Sequence, residues 1–171
     1  GYKYNLYTSP HLQSYTERFV FNNKEISEND LATLLENVDK ILGNDNATVF
    51  EILTSAFIKY AENFKDNVNI IEAGLFHRFD STNVFKQNLL TLLGVIHLDH
   101  LNWLDNKTIE GVIYEKTSSL PISNIFVNNQ MNSEIETKIK KSLIKNKSKK
   151  FFFGDDFNVA KSENSFIHYQ D

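Results

Sequence analysis

The sequence contains no cysteine, and this absence excludes every site that depends on a thiol. Without a thiol there is no disulfide framework and no thiolate metal site. The absence is compatible with a cytoplasmic protein, which is the location we expect. Proline and glycine are also scarce, with 2 and 6 residues in a chain of 171, so turns fall mainly to asparagine, aspartate and serine.

Long apolar runs and an excess of positive charge are missing as well. The longest strongly apolar run, residues 89–96, is far too short to span a bilayer. The net charge is -4 and the isoelectric point is near 5.7, which argues against a general binder of nucleic acids or anionic membranes. We expect no nucleic-acid partner and no membrane partner, and a monomer is the expected oligomeric state.

What the sequence does contain indicates one domain or a large part of one. Hydrophobic residues make up 41% of the chain, with 14 Phe and 7 Tyr, which is enough for a core. Short apolar strands alternate with helical patterns, and this alternation predicts an α/β fold with a mostly parallel sheet and helices on both faces. Strands are expected at residues 3–7, 18–22, 68–71, 89–96, 125–127, 151–153, 157–160 and 166–169, and those at 68–71 and 89–96 are expected to be buried.

Four helices are predicted, and three of them begin with a recognisable cap. Apolar spacing predicts a helix over residues 28–42, with Ser27 as its N-cap and Gly43 just past its end. Thr48-Val-Phe-Glu51 and Ser133-Glu-Ile-Glu136 both fit the capping-box pattern, so they open two further helices. A shorter helix is predicted from residue 108 to residue 116.

The segment that follows the predicted strand at residues 68–71 is the first candidate for a site. This apolar run, expected to be buried on both faces, ends at Glu72 and turns through Gly74. In open α/β sheets, ligands bind beyond the carboxyl ends of the strands, and Asp80 and Asn83 follow on the same loop. An equally good interpretation makes Glu72 a solvated strand end and Asp80 the cap of a following helix.

Further polar groups follow other predicted elements: Ser9 and His11, then Asp99 and His100, then Lys116. A hydroxyl, carboxylates and an imidazole that converge at strand ends would suit a divalent cation with a phosphate ligand. Imidazole is an unusual magnesium ligand, so residue chemistry alone favours His100 as a base or a zinc ligand. Ser9 and His11 also fit a turn residue and an ordinary surface or core histidine. The sequence contains neither G-x-x-x-x-G-K-[ST] nor G-x-G-x-x-G.

Several short motifs lie around these loops: Tyr7-Thr-Ser-Pro-His-Leu12, Phe50-Glu51, Glu72-Ala-Gly-Leu, Arg78-Phe-Asp-Ser-Thr-Asn83, Leu98-Asp-His100 and Glu115-Lys116. Together they resemble the folylpolyglutamate synthase/dihydrofolate synthase family of the Mur ligase superfamily. Their order and spacing match the central ATPase domain of that family over nearly the whole chain, which implies a P-loop-NTPase-like Mur ligase fold.

The resemblance implies an activity and a set of residue roles. The family joins L-glutamate to dihydropteroate or folate through an acyl phosphate, using ATP and two Mg²⁺ sites, as part of folate biosynthesis. By the same resemblance, Ser9 and Glu72 hold the first magnesium, and His100 binds the second. Lys116 matches a carbamylated lysine, so Lys116 and His100 are the expected catalytic residues. Asp80 matches a pterin contact, and we group Arg78 and Asn83 with it as ligand-binding residues.

The chain also departs from the family pattern. Gly-Leu-Gly-Gly-Arg has become Gly74-Leu-Phe-His-Arg78, so two glycines are replaced by Phe76 and His77. The Ala-Gly-Ile that follows the family's lysine is replaced by Thr117-Ser-Ser-Leu. These differences keep two alternatives open: another Mur-type ligase that acts on cell-wall precursors, and a degenerate homologue without catalysis.

The resemblance further implies that residues 1–171 are part of a longer protein. The family's phosphate-binding loop and the first strand would precede Gly1, and its glutamate-binding domain would follow Asp171. We therefore expect residues 1–171 to be a partial central ATPase domain, and we expect this segment alone to be inactive.

Overall fold

The computed structural model describes residues 1–160 and 168–170, and the chain divides into two compact units. The first unit comprises Gly1–Leu75 and Phe79–Thr82. The second comprises Phe76–Arg78 and the described residues from Asn83 onward. The chain therefore passes between the units within one loop, the loop that follows the fourth strand.

The first unit is a four-stranded mixed sheet with two helices. Its sheet has the strand order β3-β2-β1-β4, in which β1 and β4 are parallel and the other neighbours are antiparallel. A short 3-10 helix, Tyr15–Arg18, precedes the second strand. The elements are β1 Tyr4–Tyr7, β2 Phe19–Phe21, β3 Lys24–Glu25, α1 Glu28–Leu42, α2 Val49–Ala61 and β4 Val68–Ile71.

Aromatic side chains form the centre of the first unit. Tyr7 is fully buried, and its ring centroid lies 5.5 Å from that of Phe19 and 5.2 Å from that of Phe57. The phenol hydroxyl of Tyr7 lies 3.2 Å from the hydroxyl of Thr54, which satisfies a polar group that would otherwise be costly to bury. Burial raises the pKa of Tyr7, and the hydrogen bond with Thr54 acts in the opposite direction.

The caps predicted for the first two helices are confirmed. The Ser27 side chain accepts a hydrogen bond from the backbone N–H of Asp30, and α1 ends at Leu42 as expected. Thr48 and Glu51 form a complete capping box at the start of α2, because each side chain accepts a hydrogen bond from the other residue's backbone N–H. Local sequence is sufficient here, since every partner lies within three residues.

The second unit is a parallel sheet with two helices. Its strand order is β5-β6-β7, and both neighbouring pairs are parallel. Fully buried Val112, Ile125 and Ile139 bring the two helices and the central strand into one core. The elements are β5 Gln87–Leu93, α3 Ile109–Thr117, β6 Ile122–Val127, α4 Ser133–Ser142 and β7 Lys149–Phe152, followed by the antiparallel pair β8 Asn158–Ala160 and β9 His168–Gln170.

None of the helices in the described part of the chain has both the length and the apolar character needed to cross a bilayer.

The expectation that two apolar strands are buried is wrong. In β4, Val68 and Ile70 are exposed, and in β5 the side chains of Leu89 and Leu92 are 83% and 73% exposed. Each of these strands lies at an edge of its sheet and has a single hydrogen-bonded neighbour among the described strands. An apolar run predicts a strand, but the number of its neighbours depends on the fold.

The cap predicted for the last helix is also wrong. Asn132, rather than Ser133, is the N-cap of α4, and its side chain accepts a hydrogen bond from the backbone N–H of Glu134 at 2.7 Å. Ser133 is the first helical residue, so Glu136 falls one position too late for a capping box. Asparagine competes well with serine for this position because its side-chain oxygen reaches the same backbone donors.

Replacing Asn132 with alanine is expected to lower the free energy of unfolding by about 1 kcal/mol, since one N–H of the first turn of α4 loses its acceptor. The matched control is Ser133→Ala, which is expected to change it by less than about 0.5 kcal/mol. Urea unfolding followed by circular dichroism measures both. A larger loss for Ser133→Ala than for Asn132→Ala would restore the original assignment.

Candidate functional site

In the first unit, the ends of β1 and β4 bring Ser9 and Glu72 together. The two strands run parallel with Tyr7 opposite Ile71, and the backbone N–H of Glu72 donates to the carbonyl of Tyr7 at 2.9 Å. Two residues beyond β1, the backbone N–H of Ser9 donates to Oε2 of Glu72 at 2.7 Å. A carboxylate and a hydroxyl-bearing residue, both hard oxygen donors, therefore lie at the carboxyl ends of two adjacent parallel strands, as the sequence predicted.

Asp80 organises the loop that follows Glu72. Its Oδ2 accepts a hydrogen bond from the backbone N–H of Leu75 at 2.8 Å. Its Oδ1 accepts two hydrogen bonds from Thr82, one from the backbone N–H at 3.0 Å and one from the hydroxyl at 2.5 Å. Residues 81–84 form turns, so the interpretation of Asp80 as a helix cap is wrong. The pterin contact stays a prediction, and both carboxylate oxygens already hold the loop together.

Replacing Asp80 with asparagine is expected to destabilise the chain by about 2 kcal/mol, because a carboxamide offers one acceptor oxygen where the carboxylate uses two. Asp45→Asn, on an exposed loop of the same unit, is the control and is expected to be nearly neutral. Urea denaturation compares the two variants. Equal stability of both variants would contradict the structural role given to Asp80.

Gly74 makes the turn after Glu72 possible by its close packing against α2. A Cβ atom built on Gly74 would lie 2.4 Å from a ring carbon of Phe50 and 3.1 Å from Oδ2 of Asp80. The backbone at Gly74 thus lies directly against the Phe50 ring, and a residue with a Cβ would force that ring to move. This contact explains why the sequence pattern needs glycine at this position.

His11, one of the candidates from sequence, is engaged elsewhere. Its Nδ1 accepts a hydrogen bond from Nε of Arg18 at 2.9 Å, and its ring centroid lies 4.2 Å from that of Tyr15. This pattern matches the ordinary structural interpretation of His11.

In the second unit, Arg78 is bound to α3 by three contacts. Its guanidinium NH1 donates to Oε1 of Glu115 at 3.1 Å, and its backbone N–H donates to the carbonyl of the same residue at 3.0 Å. The guanidinium carbon lies 5.1 Å from the centre of the Tyr114 ring, within the range of a cation–π interaction. Arg78 is thereby fixed against the helix that carries Lys116.

Asn83 and His77 share a partner at the end of α3. The amide nitrogen of Asn83 donates to the carbonyl of Arg78 at 3.2 Å and to the hydroxyl of Ser119 at 3.1 Å. Nδ1 of His77 lies 3.1 Å from the same hydroxyl. The sequence analysis did not identify Ser119 as a functional candidate, although it lies in the segment that departs from the family pattern.

Phe76 lies between two residues that the family resemblance marks as catalytic. Its ring is edge-on to that of His100, with centroids 6.1 Å apart, and Nζ of Lys116 lies 5.7 Å from the ring centre. Phe76 and His100 both have a left-handed backbone, with φ of 56° and 53°. Sequence reasoning treated Phe76 only as a bulky departure, and no local pattern could have placed its ring beside residues 24 and 40 positions later.

Asp99 supplies the negative charge of this neighbourhood. Its Oδ2 lies 3.4 Å from Nε2 of His100 and 3.7 Å from Nε2 of His97. Burial lowers the pKa of Lys116, and the carboxylate of Asp99 acts in the opposite direction. The lysine therefore has a larger neutral fraction than a solvated lysine, which is what a nucleophilic amine requires.

The predicted site residues are thus distributed between the two units. Ser9, Glu72 and Asp80 belong to the first unit, and the second contains Arg78, Asn83, His100 and Lys116. Within the described residues, no group of three or more histidine, aspartate or glutamate side chains is arranged to hold a metal ion. The metal-binding roles of Ser9, Glu72 and His100 remain predictions.

Comparison with known proteins gives relatives described as dihydrofolate synthases, folylpolyglutamate synthases or both. No family model matches the chain. The dihydrofolate synthase/folylpolyglutamate synthase of Buchnera aphidicola subsp. Schizaphis graminum is 32% identical over 149 residues, which cover 85% of this chain and 35% of that protein. The protein of the same description from Bacillus subtilis is 38% identical over 123 residues, 68% of this chain and 28% of that protein. The chain thus spans about a third of the length of these curated relatives.

Solved structures show the same fold at lower identity. A complex of E. coli FolC with DHPP and ADP has a TM-score of 0.84 and 24% identity, over 99% of this chain and 40% of that one. A bifunctional folylpolyglutamate synthase/dihydrofolate synthase from Yersinia pestis, complexed with AMPPNP and a Mn ion, has a TM-score of 0.82, 24% identity and the same coverage. The expected α/β fold, with a parallel sheet and helices, is confirmed.

Proposed function

Because the chain belongs to the dihydrofolate synthase/folylpolyglutamate synthase family, we propose that the protein it comes from is an ATP-dependent carboxylate–amine ligase of folate biosynthesis. Its substrates are L-glutamate and either dihydropteroate or folate. The observation that carries the proposal is the contact between Ser9 and Glu72 at the carboxyl ends of β1 and β4. This is where α/β sheets bind ligands, and where the family resemblance places the first magnesium.

The proposed reaction has two steps. A carboxylate oxygen of the pteroate or folate attacks the γ-phosphorus of ATP, which gives an acyl phosphate and ADP. The glutamate amine then attacks the acyl carbon, the amide C–N bond forms, phosphate leaves with the C–O bonding electrons, and the nitrogen loses a proton. Both steps move negative charge onto phosphate oxygens, so cationic groups around the phosphates stabilise the transition states.

The residues present fit magnesium in part. Carboxylate and hydroxyl oxygens are the ligands that Mg²⁺ prefers, and it usually takes only one or two carboxylates besides phosphate oxygens and water. Glu72 has one oxygen in contact with the backbone of Ser9, which orients the carboxylate and leaves the second oxygen for a cation. Bound magnesium would screen the charge of the ATP phosphates. We assign Ser9 and Glu72 to one ion and His100 to a second.

The E. coli and Yersinia pestis structures support the choice of ligands. The E. coli protein is in complex with DHPP and ADP, and the Yersinia pestis protein with AMPPNP and a Mn ion, so the ligands include adenine nucleotides and a divalent metal. We propose that this chain's family site takes the corresponding classes of ligand: a pteroate, ATP and a divalent cation.

Lys116 is assigned as a carbamylated lysine. Its amine nitrogen would attack carbon dioxide and lose a proton, which gives an anionic carbamate. Partial burial lowers the pKa of Lys116 and so favours the neutral amine that this step needs. Carbamylation would replace the positive ammonium of Lys116, near the Phe76 ring, with a negative group whose oxygens can bind a cation.

We further propose that residues 1–171 supply only part of the site. They contain no glycine-rich phosphate loop, and they span about a third of the length of the relatives. The remaining segments would supply that loop and the glutamate-binding domain, and the 171-residue chain alone would have no ligase activity. A cytoplasmic, monomeric enzyme remains the expectation.

The test uses the protein encoded by the complete reading frame. Phosphate release should require ATP, L-glutamate and dihydropteroate together, and mass spectrometry should find dihydrofolate as the product. The 171-residue chain, measured in parallel, should release no phosphate. Absence of turnover by the complete protein would refute the ligase, and turnover with a cell-wall precursor instead would identify a different Mur-type ligase.

A non-catalytic homologue is the second candidate, and one observation favours it. The Phe76 ring occupies the space beside Lys116, where the family pattern has a glycine. Calorimetry of the complete protein with magnesium and ATP separates the candidates, because a degenerate homologue should show neither turnover nor tight nucleotide binding.

A further inference from the structure

The two segments in which the chain departs from the family pattern are in contact with each other. One departure is Phe76-His77, and the other is the segment after Lys116 that includes Ser119. Nδ1 of His77 lies 3.1 Å from the hydroxyl of Ser119, although the two residues are 42 positions apart. The side chain introduced by one departure thus finds its partner in the other, so the two changes form one local structure.

Asn83 donates to the same hydroxyl that His77 contacts. Its amide nitrogen can only donate, and it donates to the hydroxyl oxygen of Ser119 at 3.1 Å. The same hydroxyl keeps its own proton and a second lone pair, and Nδ1 of His77 lies within hydrogen-bond distance of it. The other proton of the Asn83 amide goes to the carbonyl of Arg78 at 3.2 Å, so the chain of bonds closes on the residue next to His77.

Phe76 holds the other end of the same structure. Its backbone is left-handed, which is unfavourable for a residue with a Cβ, and such a conformation persists where the surroundings determine it. The surroundings here are the core of the second unit, against which the ring packs, and the side chains of His100 and Lys116. The ring thus anchors the start of the segment while His77 and Asn83 attach its continuation to the end of α3.

We propose that Phe76, His77 and Ser119 form a clamp, named here the α3 clamp. The clamp consists of positioning residues: it holds Arg78 and Asn83 on the end of α3 in the orientation that binds the pteroate substrate. The proposal rests on the proposed function, because Arg78 and Asn83 are ligand-binding residues only within that function.

The experiment uses the complete protein, with dihydropteroate as the probe. His77→Ala and Ser119→Ala are each expected to weaken dihydropteroate binding about tenfold by calorimetry. The double variant should bind no more weakly than Ser119→Ala alone, because Ser119→Ala already removes the contact with His77. The rate constant kcat at saturating substrate should stay within about twofold, since a positioning residue does not touch the reacting atoms. Ser119→Thr keeps the hydroxyl and should restore binding.

Ser118→Ala is the matched control. Ser118 is exposed, next in sequence to Ser119, and outside the clamp, so its replacement should leave binding and kcat unchanged. A second measurement needs no substrate: in protein labelled with ¹⁵N-histidine, the Nδ1 resonance of His77 should shift in Ser119→Ala but not in Ser118→Ala.

The outcomes separate the clamp from the function. An unchanged His77 resonance in Ser119→Ala overturns the clamp, and so do two single variants that bind dihydropteroate as tightly as the wild type. A wild-type protein that neither binds dihydropteroate nor turns over refutes the proposed ligase. In that case a shift of the His77 resonance still supports the clamp as a contact that fixes Arg78 and Asn83.

Discussion

Replacing Glu72 with glutamine is expected to lower the ligase rate of the complete protein by about 10²–10³-fold. Glutamine has the same shape, and its side-chain oxygen can still accept the hydrogen bond from the backbone of Ser9. It lacks the negative charge that a divalent cation requires of a carboxylate ligand. The variant therefore separates the charge of Glu72 from its place in the structure.

The measurement is a magnesium titration of the steady-state rate. For Glu72→Gln, the magnesium concentration that gives half the maximal rate should rise together with the loss of rate. Stability should change little, because Glu72 is exposed and its hydrogen bond is retained. Glu62→Gln is the control: Glu62 is an exposed glutamate of the same unit that pairs with Lys59, and its replacement should leave the titration unchanged. A Glu72→Gln rate within twofold of the wild type would remove Glu72 from the metal site.

Replacing Gly111 with alanine is expected to destabilise the second unit by about 3 kcal/mol. A Cβ atom at Gly111 would lie 2.0 Å from the backbone oxygen of Asn106, well inside contact distance. The Asn106 carbonyl cannot easily move, because it accepts a hydrogen bond from the backbone N–H of Thr108, the N-cap of α3. Alanine favours a helix over glycine by about 1 kcal/mol, which is too little to offset the clash.

The effect of Gly111→Ala should be concentrated in α3. Hydrogen exchange of the α3 amides should accelerate, and urea unfolding followed by circular dichroism should give the loss of stability. Gly94→Ala is the control, because a Cβ at Gly94 meets no atom within 4 Å, and a change below about 0.5 kcal/mol is expected. If the two variants are equally stable, the Asn106 carbonyl can move aside for the added Cβ, and the prediction is wrong.

Sequence reasoning succeeded where the determining contacts are local. The bounds of α1 and the caps at Ser27 and Thr48 follow from side chains within one helical turn. The meeting of Ser9 with Glu72 was predictable as well, because the carboxyl ends of neighbouring parallel strands lie at one sheet edge. At α4 the local signal itself was ambiguous, since Asn132 and Ser133 are both good caps and only the backbone at Asn132 has the extended conformation of a cap.

Sequence reasoning failed where tertiary contacts decide. The apolar pattern of β5 identified a strand but not its place at an edge. The contact between His77 and Ser119 and that between Phe76 and Lys116 join residues about 40 positions apart, so no window of sequence contains both partners. The sequence showed that Phe76 and His77 depart from the family pattern. Only the structure shows that they contact Lys116 and Ser119.

The edge position of β5 has a consequence for the aggregation of the 171-residue chain. On one side of this strand, the backbone N–H and C=O groups have no hydrogen-bonded neighbour among the described strands. The side chains of Leu89 and Leu92 on the same strand are exposed. Residues 89–96 contain no charged residue and no proline. Segments of this composition pair readily with copies of themselves. At high concentration we therefore expect β5 strands of different molecules to pair and to lower the solubility of the chain. The substitution Leu89→Lys, at the most exposed of these leucines, should oppose this pairing.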